Sequence, residues 1–255
     1  MATVPAIARP RFKLHTRASW SSRDDRIPSA VWLGILWVGM IGGFGIDIPF
    51  FLREQPPAPK IIYVHAFVFT VWLLILTAQV LIVLGDRIAW HKKMGWFAAF
   101  WAALMAVFGP WAALASGAAI LPQPPPFLSV QFIGLAGFLA LLGWGFALRK
   151  NPAAHRRMMI LATISLADPG FGRLSGHLLH PQLLTALSFF FLEYYGNLLL
   201  IALMAAWDWW RGRLMPSFVI GATALLAGEF FASFLHVWGP WNAFGVSLIR
   251  AWVKL

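Results

Sequence analysis

Two histidines in this sequence stand in the same short pattern. The hexapeptides AWHKKM, around His91, and AAHRRM, around His155, share an alanine, a histidine, two basic residues and a methionine, and an apolar segment follows each. Imidazole is a common axial ligand of haem iron. The repeat predicts a b-type haem held between His91 and His155. Lys92 and Arg156 would then pair with the haem propionates at the membrane surface. The alternative is that both basic clusters only mark the cytoplasmic ends of two helices.

A second group of histidines is expected at the other membrane face. His65 lies near the start of an apolar segment and would need a partner for a second haem, either His236 or one of the histidines of the His177-x-x-His180 pair. The pair His177 and His180, with Asp47 nearby, also suggests a metal site. A structural role at the interface is the simpler interpretation of any one of these residues.

Three acidic residues fall inside apolar segments. Counting about 1.5 Å per helical residue from the start of each segment places Asp168, Glu193 and Glu229 near the middle of a membrane core about 30 Å thick. Charged residues at this depth mark ion or proton routes, or they are paired. The acids therefore predict a proton path, with Arg173 as a partner for one of them. The alternative is hydrogen bonding that only holds helices together.

The composition indicates a membrane protein. Of 255 residues, 60% are hydrophobic and only 11% are charged, and the mean hydropathy is +0.73. A soluble domain has about 25% charged residues. The net charge of +11 does not indicate nucleic-acid binding, because the basic residues lie between apolar segments, as the positive-inside rule describes. The absence of cysteine excludes disulfides and thiolate metal sites.

The apolar segments predict an all-α, polytopic bundle with seven transmembrane helices. A basic cytoplasmic tail over 1–29 precedes the transmembrane domain over 30–240, and a short amphipathic tail over 241–255 follows it. The expected spans are approximately 30–52, 61–84, 95–121, 127–148, 151–173, 182–207 and 217–238. Seven crossings place fifteen of the 20 basic residues on the side of the N-terminus, which predicts a cytoplasmic N-terminus.

Two of these segments have distinctive small residues. Gly42, Gly43 and Gly45 in the first segment predict that a neighbouring backbone approaches it closely. The fifth segment contains Asp-Pro-Gly at 168–170, a triplet typical of a turn. If that segment entered the membrane and returned to the same side, fewer basic residues would lie on the side of the N-terminus. The basic residues therefore favour a full crossing.

The ordered motifs resemble those of an uncharacterised family of bacterial multi-pass membrane proteins. His65, HKKMGW at 91–96 and HRRMMILAT at 155–163 are similar to its H…HRxxGW…HRRMM pattern, and WDWWRGRL at 207–214 looks like its Asp…Arg-Gly-Arg loop. The likeness covers about 61–216. It implies a multi-pass protein of the bacterial inner membrane and brings no established activity.

A more distant likeness is to transmembrane di-haem b-type cytochromes. That family carries paired histidines near each membrane face of a four-helix core, which the second to fifth segments would supply here. The chain departs from the pattern because no histidine occupies the matching position opposite His65.

Haem-linked electron transfer is the function that this combination predicts, with the lipid bilayer and another membrane redox complex as partners. A proton-coupled transporter that uses the midplane carboxylates is the alternative from a different class. A third interpretation is a non-catalytic accessory subunit of a membrane complex. No nucleophile–base arrangement, phosphate loop or nucleotide motif occurs in the sequence.

Overall fold

The computed structural model describes residues 24–53, 57–179 and 185–254. Within these ranges the chain is all-helical, as predicted, and contains no β-strand. The helices are α1 (Arg26–Phe51), α2 (Lys60–Leu84), α3 (Ile88–Ala119), α4 (Leu128–Ala147), α5 (Pro152–Ile164), α6 (Asp168–Leu179), α7 (Ala186–Glu193), α8 (Tyr195–Trp210), α9 (Pro216–Val237) and α10 (Gly239–Val253).

Five helices, α1 to α4 and α9, are long and apolar enough to cross a membrane. The pair α7 and α8 adds a sixth candidate if it is counted as one span with a 64° bend. Many large apolar side chains point outward from the bundle; Val38 is 72% exposed and Trp96 is 73% exposed. Apolar exposure on this scale fits a lipid-facing surface. The chain is therefore a multi-pass integral membrane protein.

Contacts with α1 show how the shorter helices α5 and α6 run. At one end of the bundle, Asp25, directly before α1, pairs with Arg156 and Arg157 of α5. At the opposite end, Asp47 of α1 contacts Arg173 and His177 of α6. Together α5 and α6 therefore follow α1 along its length. We call the first end, which contains Asp25 and Arg157, the basic end, and the other the far end.

Glycines allow α1 and α6 to pack closely. A Cβ atom added to Gly43 would lie 1.8 Å from the carbonyl oxygen of Gly170, and one added to Gly39 would lie 2.2 Å from the ring of Phe171. The predicted close approach is thus made at Gly43, whereas a Cβ atom on Gly45 would meet open space. Small residues at helix contacts in membranes permit this backbone approach.

The last helix, α10, covers part of the far end. Its Ile249 is fully buried and packs against Gly117, near the end of α3, while its Gly245 lies against Pro125, in the connection to α4. A cluster of Ala113, Leu128 and Ile249 forms under it. The predicted amphipathic tail is therefore a helix that lies across the ends of α3 and α4.

Candidate functional site

Two helical segments are interrupted inside the bundle. Residues 165–167 separate α5 from α6, and Tyr194 separates α7 from α8. The first interruption follows from Pro169, which has no N–H to donate to the carbonyl of Ser165 and whose ring crowds that carbonyl. The turn falls just before the Asp-Pro-Gly triplet predicted to form it, and Asp168 begins α6 instead.

The three acids predicted for the membrane midplane lie near these interruptions. Asp168 opens α6, Glu193 closes α7, and Glu229 lies on α9. Glu193 and Glu229 both lie close enough to Asp168 for their charges to act on it. The charges of all three also act on Tyr194, which is buried at the break between α7 and α8. We call Asp168, Glu193, Glu229 and Tyr194 the acidic site.

Glu229 has one amide partner and one open oxygen. Asn197, in the first turn of α8, is fully buried, and its Nδ2 donates to Oε1 of Glu229 over 2.8 Å. Within the described part of the chain, neither Oε2 of Glu229 nor Oδ1 of Asn197 has a hydrogen-bond partner. Glu229 is only 4% exposed. Buried polar atoms are normally paired, so these two oxygens mark a place where a proton or a polar ligand would be stabilised.

Glu193 reaches the site because α6 carries a glycine opposite it. A Cβ atom added to Gly172 would lie 2.5 to 2.7 Å from the carboxyl atoms of Glu193. Ser175 ties the same two helices together, since its Oγ donates to the carbonyls of Gly172 and Leu192, each over 2.8 Å. The side chain of Glu193 therefore lies against the backbone of α6.

At the far end, three polar residues connect the acidic site to the surface. Nε of Arg173 donates to Asp47 over 2.8 Å, and Nε2 of His177 lies 3.2 Å from the other oxygen of Asp47. The charge of Arg173 also acts on Glu193 and Asp168. Arg173 is itself 39% exposed, so it reaches the surface while its charge acts on the buried carboxyls; the proton path stays a prediction.

The predicted metal ligands are only partly together. His177 and Asp47 are in contact, while His180 lies outside the described residues. Arg173 occupies the other oxygen of Asp47. Among the residues that the structure describes, no group of three or more His, Asp or Glu side chains could hold a metal ion. A metal site here stays a prediction.

His65 and His236 are not brought together as a pair. The ring of His65 lies 4.1 Å from that of Phe69 on its own helix, and the ring of His236 stacks on Phe189 at 3.8 Å. Helix α2 packs mainly on α3 and α1, whereas α9 packs mainly on α4 and α7. The two histidines thus lie in separate aromatic surroundings, and no second haem pair forms from them.

His91 and His155 do lie next to each other at the basic end. Their ring centroids are 6.1 Å apart, with an angle of 81° between the ring planes. Nδ1 of His155 donates to the carbonyl of Gly145 over 2.8 Å, which leaves its Nε2 as an acceptor. Nδ1 of His91 has no hydrogen-bond partner in the described ranges. The arrangement leaves ring nitrogens available to a ligand.

The two basic residues beside His155 have acidic partners in the structure. Arg156 pairs with Asp25 over 2.5 Å instead of standing free for a haem propionate. Arg157 is 1% exposed and forms two 2.5 Å hydrogen bonds with Asp208, which is also 1% exposed. Lys92, by contrast, is exposed. No local sequence pattern indicates this network, because Asp25 and Asp208 are distant from Arg157 in the chain.

Comparison with known proteins adds no relative, since no family model, curated protein or solved structure matches this chain. The function must therefore be argued from the geometry.

Proposed function

We propose that this integral membrane protein carries protons through the acidic site. The observation that carries the proposal is the meeting of two interrupted helices at three carboxyl groups, with Oε2 of Glu229 unpartnered. Ionisable groups buried at membrane depth mark proton relays, and interrupted helices build binding sites at the midplane of transporters. Exchange of a proton among Asp168, Glu193 and Glu229 relieves the repulsion that three adjacent negative charges would produce.

The far end supplies the entry to this route. His177 and Asp47 are each about a third exposed, with side-chain exposures of 30% and 28%. Both side chains are therefore in contact with water, which can deliver a proton to them. Arg173 links these groups to Glu193 electrostatically. A proton taken up at His177 or Asp47 is then passed inward along α6 to the carboxyls.

The same proposal includes seven crossings with a cytoplasmic N-terminus in a bacterial inner membrane. It is supported by the full-length course of α5 and α6 beside α1, and by the ion pairs of Arg213 that hold the loop after α8 at the basic end. Reporter fusions at Pro124 and after Arg213 should lie on opposite sides of the membrane. Reporters on the same side would contradict the crossing of α5 and α6.

Replacing Glu229 by Gln is expected to lower proton movement while preserving the fold. The Gln side chain can still accept from Asn197, but its amide cannot carry the proton, so the rate should fall about tenfold or more. The measurement is proton uptake into proteoliposomes that contain a pH-sensitive dye, driven by a potassium diffusion potential. Glu193→Gln should behave in the same way.

Asp86→Asn serves as the matched control, because Asp86 is 65% exposed at the basic end and outside the acidic site. Its proton uptake should equal that of the unaltered chain. If Glu229→Gln and Glu193→Gln retain normal uptake and instead unfold at lower temperature, the carboxyls only hold helices together and the proposal fails.

A second function, haem-linked electron transfer to another membrane redox complex, is favoured by the contact between His91 and His155. Each iron–imidazole bond is about 2 Å long and a ring nitrogen lies about 1 Å from its ring centre, so two imidazoles sharing one iron have centroids about 6 Å apart. The observed 6.1 Å fits this value. The hydrogen bond from His155 to Gly145 is the kind of outer contact that orients a metal-ligating imidazole.

The two imidazoles therefore fit a b-type haem, with exposed Lys92 as a propionate partner in place of Arg156. Such a haem would supply one-electron transfer at the basic end. Replacing either His91 or His155 by Ala should abolish a low-spin haem spectrum in the purified protein, while Lys92→Ala should only weaken haem retention.

His236→Ala is the control for this spectrum, because His236 stacks on Phe189 away from the pair. It should leave the absorbance unchanged. A purified chain that shows no haem absorbance after expression with added haem would rule out this second function without affecting the proton proposal.

A further inference from the structure

Among the described residues, the ion-pair network at the basic end carries more positive than negative charge. Asp25 pairs with Arg156, Arg157 and Arg213, and Asp208 accepts the two bonds from Arg157. Asp24 pairs with Arg211 and Arg213, each over 3.2 Å. Four arginines thus face three aspartates: Arg156, Arg157, Arg211 and Arg213 against Asp24, Asp25 and Asp208. The network has one positive charge in excess.

The other acidic side chains that the structure describes lie outside this network. Asp86 pairs with Arg26, and Asp47 pairs with Arg173 at the far end. Three more acids form the acidic site, and Glu54 falls in the connection between α1 and α2. The segment 1–23 contains neither Asp nor Glu. Among the residues that the structure describes, no further acidic side chain belongs to this network to balance its excess charge.

Buried donor atoms accompany the excess charge. Arg213 is 4% exposed, and its Nε and Nη2 have no hydrogen-bond partner among the described residues; Nη2 lies 3.7 Å from Asp25. Nε of Arg156 and Oγ of Ser217 are likewise buried and unpartnered there. A buried donor without an acceptor costs about 1–3 kcal/mol, and more when it is charged. These atoms favour an acceptor that the described residues do not provide.

The start of α9 adds further donors beside Arg213. Pro216 and Ser217 open this helix of 22 residues, and Met215 before them supplies no side-chain cap. The first N–H groups of a helix have no partner within it and carry a partial positive charge. One short stretch of chain, from Arg213 to the first turn of α9, therefore contains a buried guanidinium group and backbone N–H groups that have no partner within the helix.

We propose that Arg213, together with Arg211 and the first turn of α9, binds a phosphate-bearing anion. Guanidinium groups and helix N-termini are the usual partners of phosphate. Phosphate has more acceptor oxygens than the two of a carboxylate, which matches donors that come from a loop and a helix. The source is either the headgroup of an anionic phospholipid or free phosphate.

Asp24 occupies part of this site with its own carboxylate. It is 33% exposed and accepts from Arg211 and Arg213, so it stands where an incoming anion would form the same bonds. In the pair of Asp24 with Arg211 both side chains are partly exposed, and an exposed ion pair is worth up to about 1 kcal/mol. Removing the carboxylate should therefore strengthen anion binding about fivefold, since about 1.4 kcal/mol corresponds to tenfold.

The test compares Asp24→Asn with Asp86→Asn in the purified full chain. Both changes remove one negative charge from the basic end, but only the first opens the proposed site. Thermal unfolding is followed while inorganic phosphate, or mixed micelles of phosphatidylglycerol or phosphatidylcholine, are titrated, because a ligand that binds the folded state raises the unfolding temperature. Asp24→Asn should reach half of the shift at an about fivefold lower concentration than Asp86→Asn.

The outcomes distinguish a soluble anion from a lipid headgroup, or they contradict the site. A response to inorganic phosphate identifies a soluble anion, and a response to phosphatidylglycerol alone identifies a lipid headgroup. Arg213→Gln should remove the response; if that variant does not fold, the comparison of Asp24→Asn with Asp86→Asn decides. The proposed site is wrong if the two variants have equal half-shift concentrations. It is also wrong if phosphatidylcholine gives the same shift as phosphatidylglycerol, or if no probe gives a shift. None of these outcomes depends on the proton proposal.

Discussion

Gly43→Ala is expected to prevent stable packing of α1 against α6. The added methyl group would lie 1.8 Å from the carbonyl oxygen of Gly170 and 2.6 Å from its carbonyl carbon, both of them backbone atoms. Rotation of a side chain cannot relieve a clash with backbone, so the two helices must separate. Overpacking of a tight contact typically costs about 1–3 kcal/mol and occasionally more. We expect a loss at or above the upper end of that range, with little folded protein recovered.

Gly45→Ala is the matched control for this prediction. It adds the same methyl group to α1 two residues later, where a Cβ atom would meet nothing within 4 Å. Thermal unfolding in detergent and the yield of monodisperse protein should separate the two variants. Equal stability of Gly43→Ala and Gly45→Ala would show that α1 and α6 do not approach as closely as described.

Asp208→Ala is the second change with a large expected effect. It would leave Arg157, 1% exposed, without the carboxylate that accepts two of its hydrogen bonds. Breaking a buried ion pair by removing one partner costs about 3–5 kcal/mol, because the remaining charge stays buried and uncompensated. Asp25, 3.6 Å from Arg157, already pairs with Arg156 and cannot fully replace Asp208. The free energy of unfolding should fall by most of this amount.

The same loss should not follow when both charges are removed together. A double change of Arg157→Met and Asp208→Leu replaces the pair by apolar groups, so it should be less destabilising than Asp208→Ala alone. Asp86→Ala, which breaks an exposed pair with Arg26, should cost about 1 kcal/mol or less. If Asp208→Ala is as mild as Asp86→Ala, the pair of Arg157 and Asp208 does not hold the basic end together.

The membrane class and most helices could be predicted from local sequence. Apolar segments of about 20 residues have few alternatives to a helix in lipid, because every backbone polar group must be paired within the segment. Four of the long helices, α1 to α4, therefore begin and end close to the expected spans, although α3 starts at Ile88, seven residues earlier than predicted. The basic hexapeptide AWHKKM was placed before the helix and instead forms part of it.

The interruptions of the fifth and sixth segments could be predicted only in part from the sequence. Pro169 indicated a break near Asp168, but nothing in the sequence pointed to the break at Tyr194. That second break positions Glu193 and Asn197 on two separate helices, α7 and α8. The hydrogen bond between Asn197 and Glu229 joins the start of α8 to α9 and depends on how the helices pack in three dimensions.

Counting residues along each segment predicted that Asp168, Glu193 and Glu229 lie at one depth, and in the structure the charges of Glu193 and Glu229 act on Asp168. It also indicated that His91 and His155 share one end of the bundle. Depth does not specify the rotation of a helix or its neighbours, so only the tertiary structure decided that Arg157 meets Asp208, or that Asp25 meets Arg156. Ion pairs join residues far apart in the chain, and their formation depends on which helix ends pack together, which no local pattern encodes.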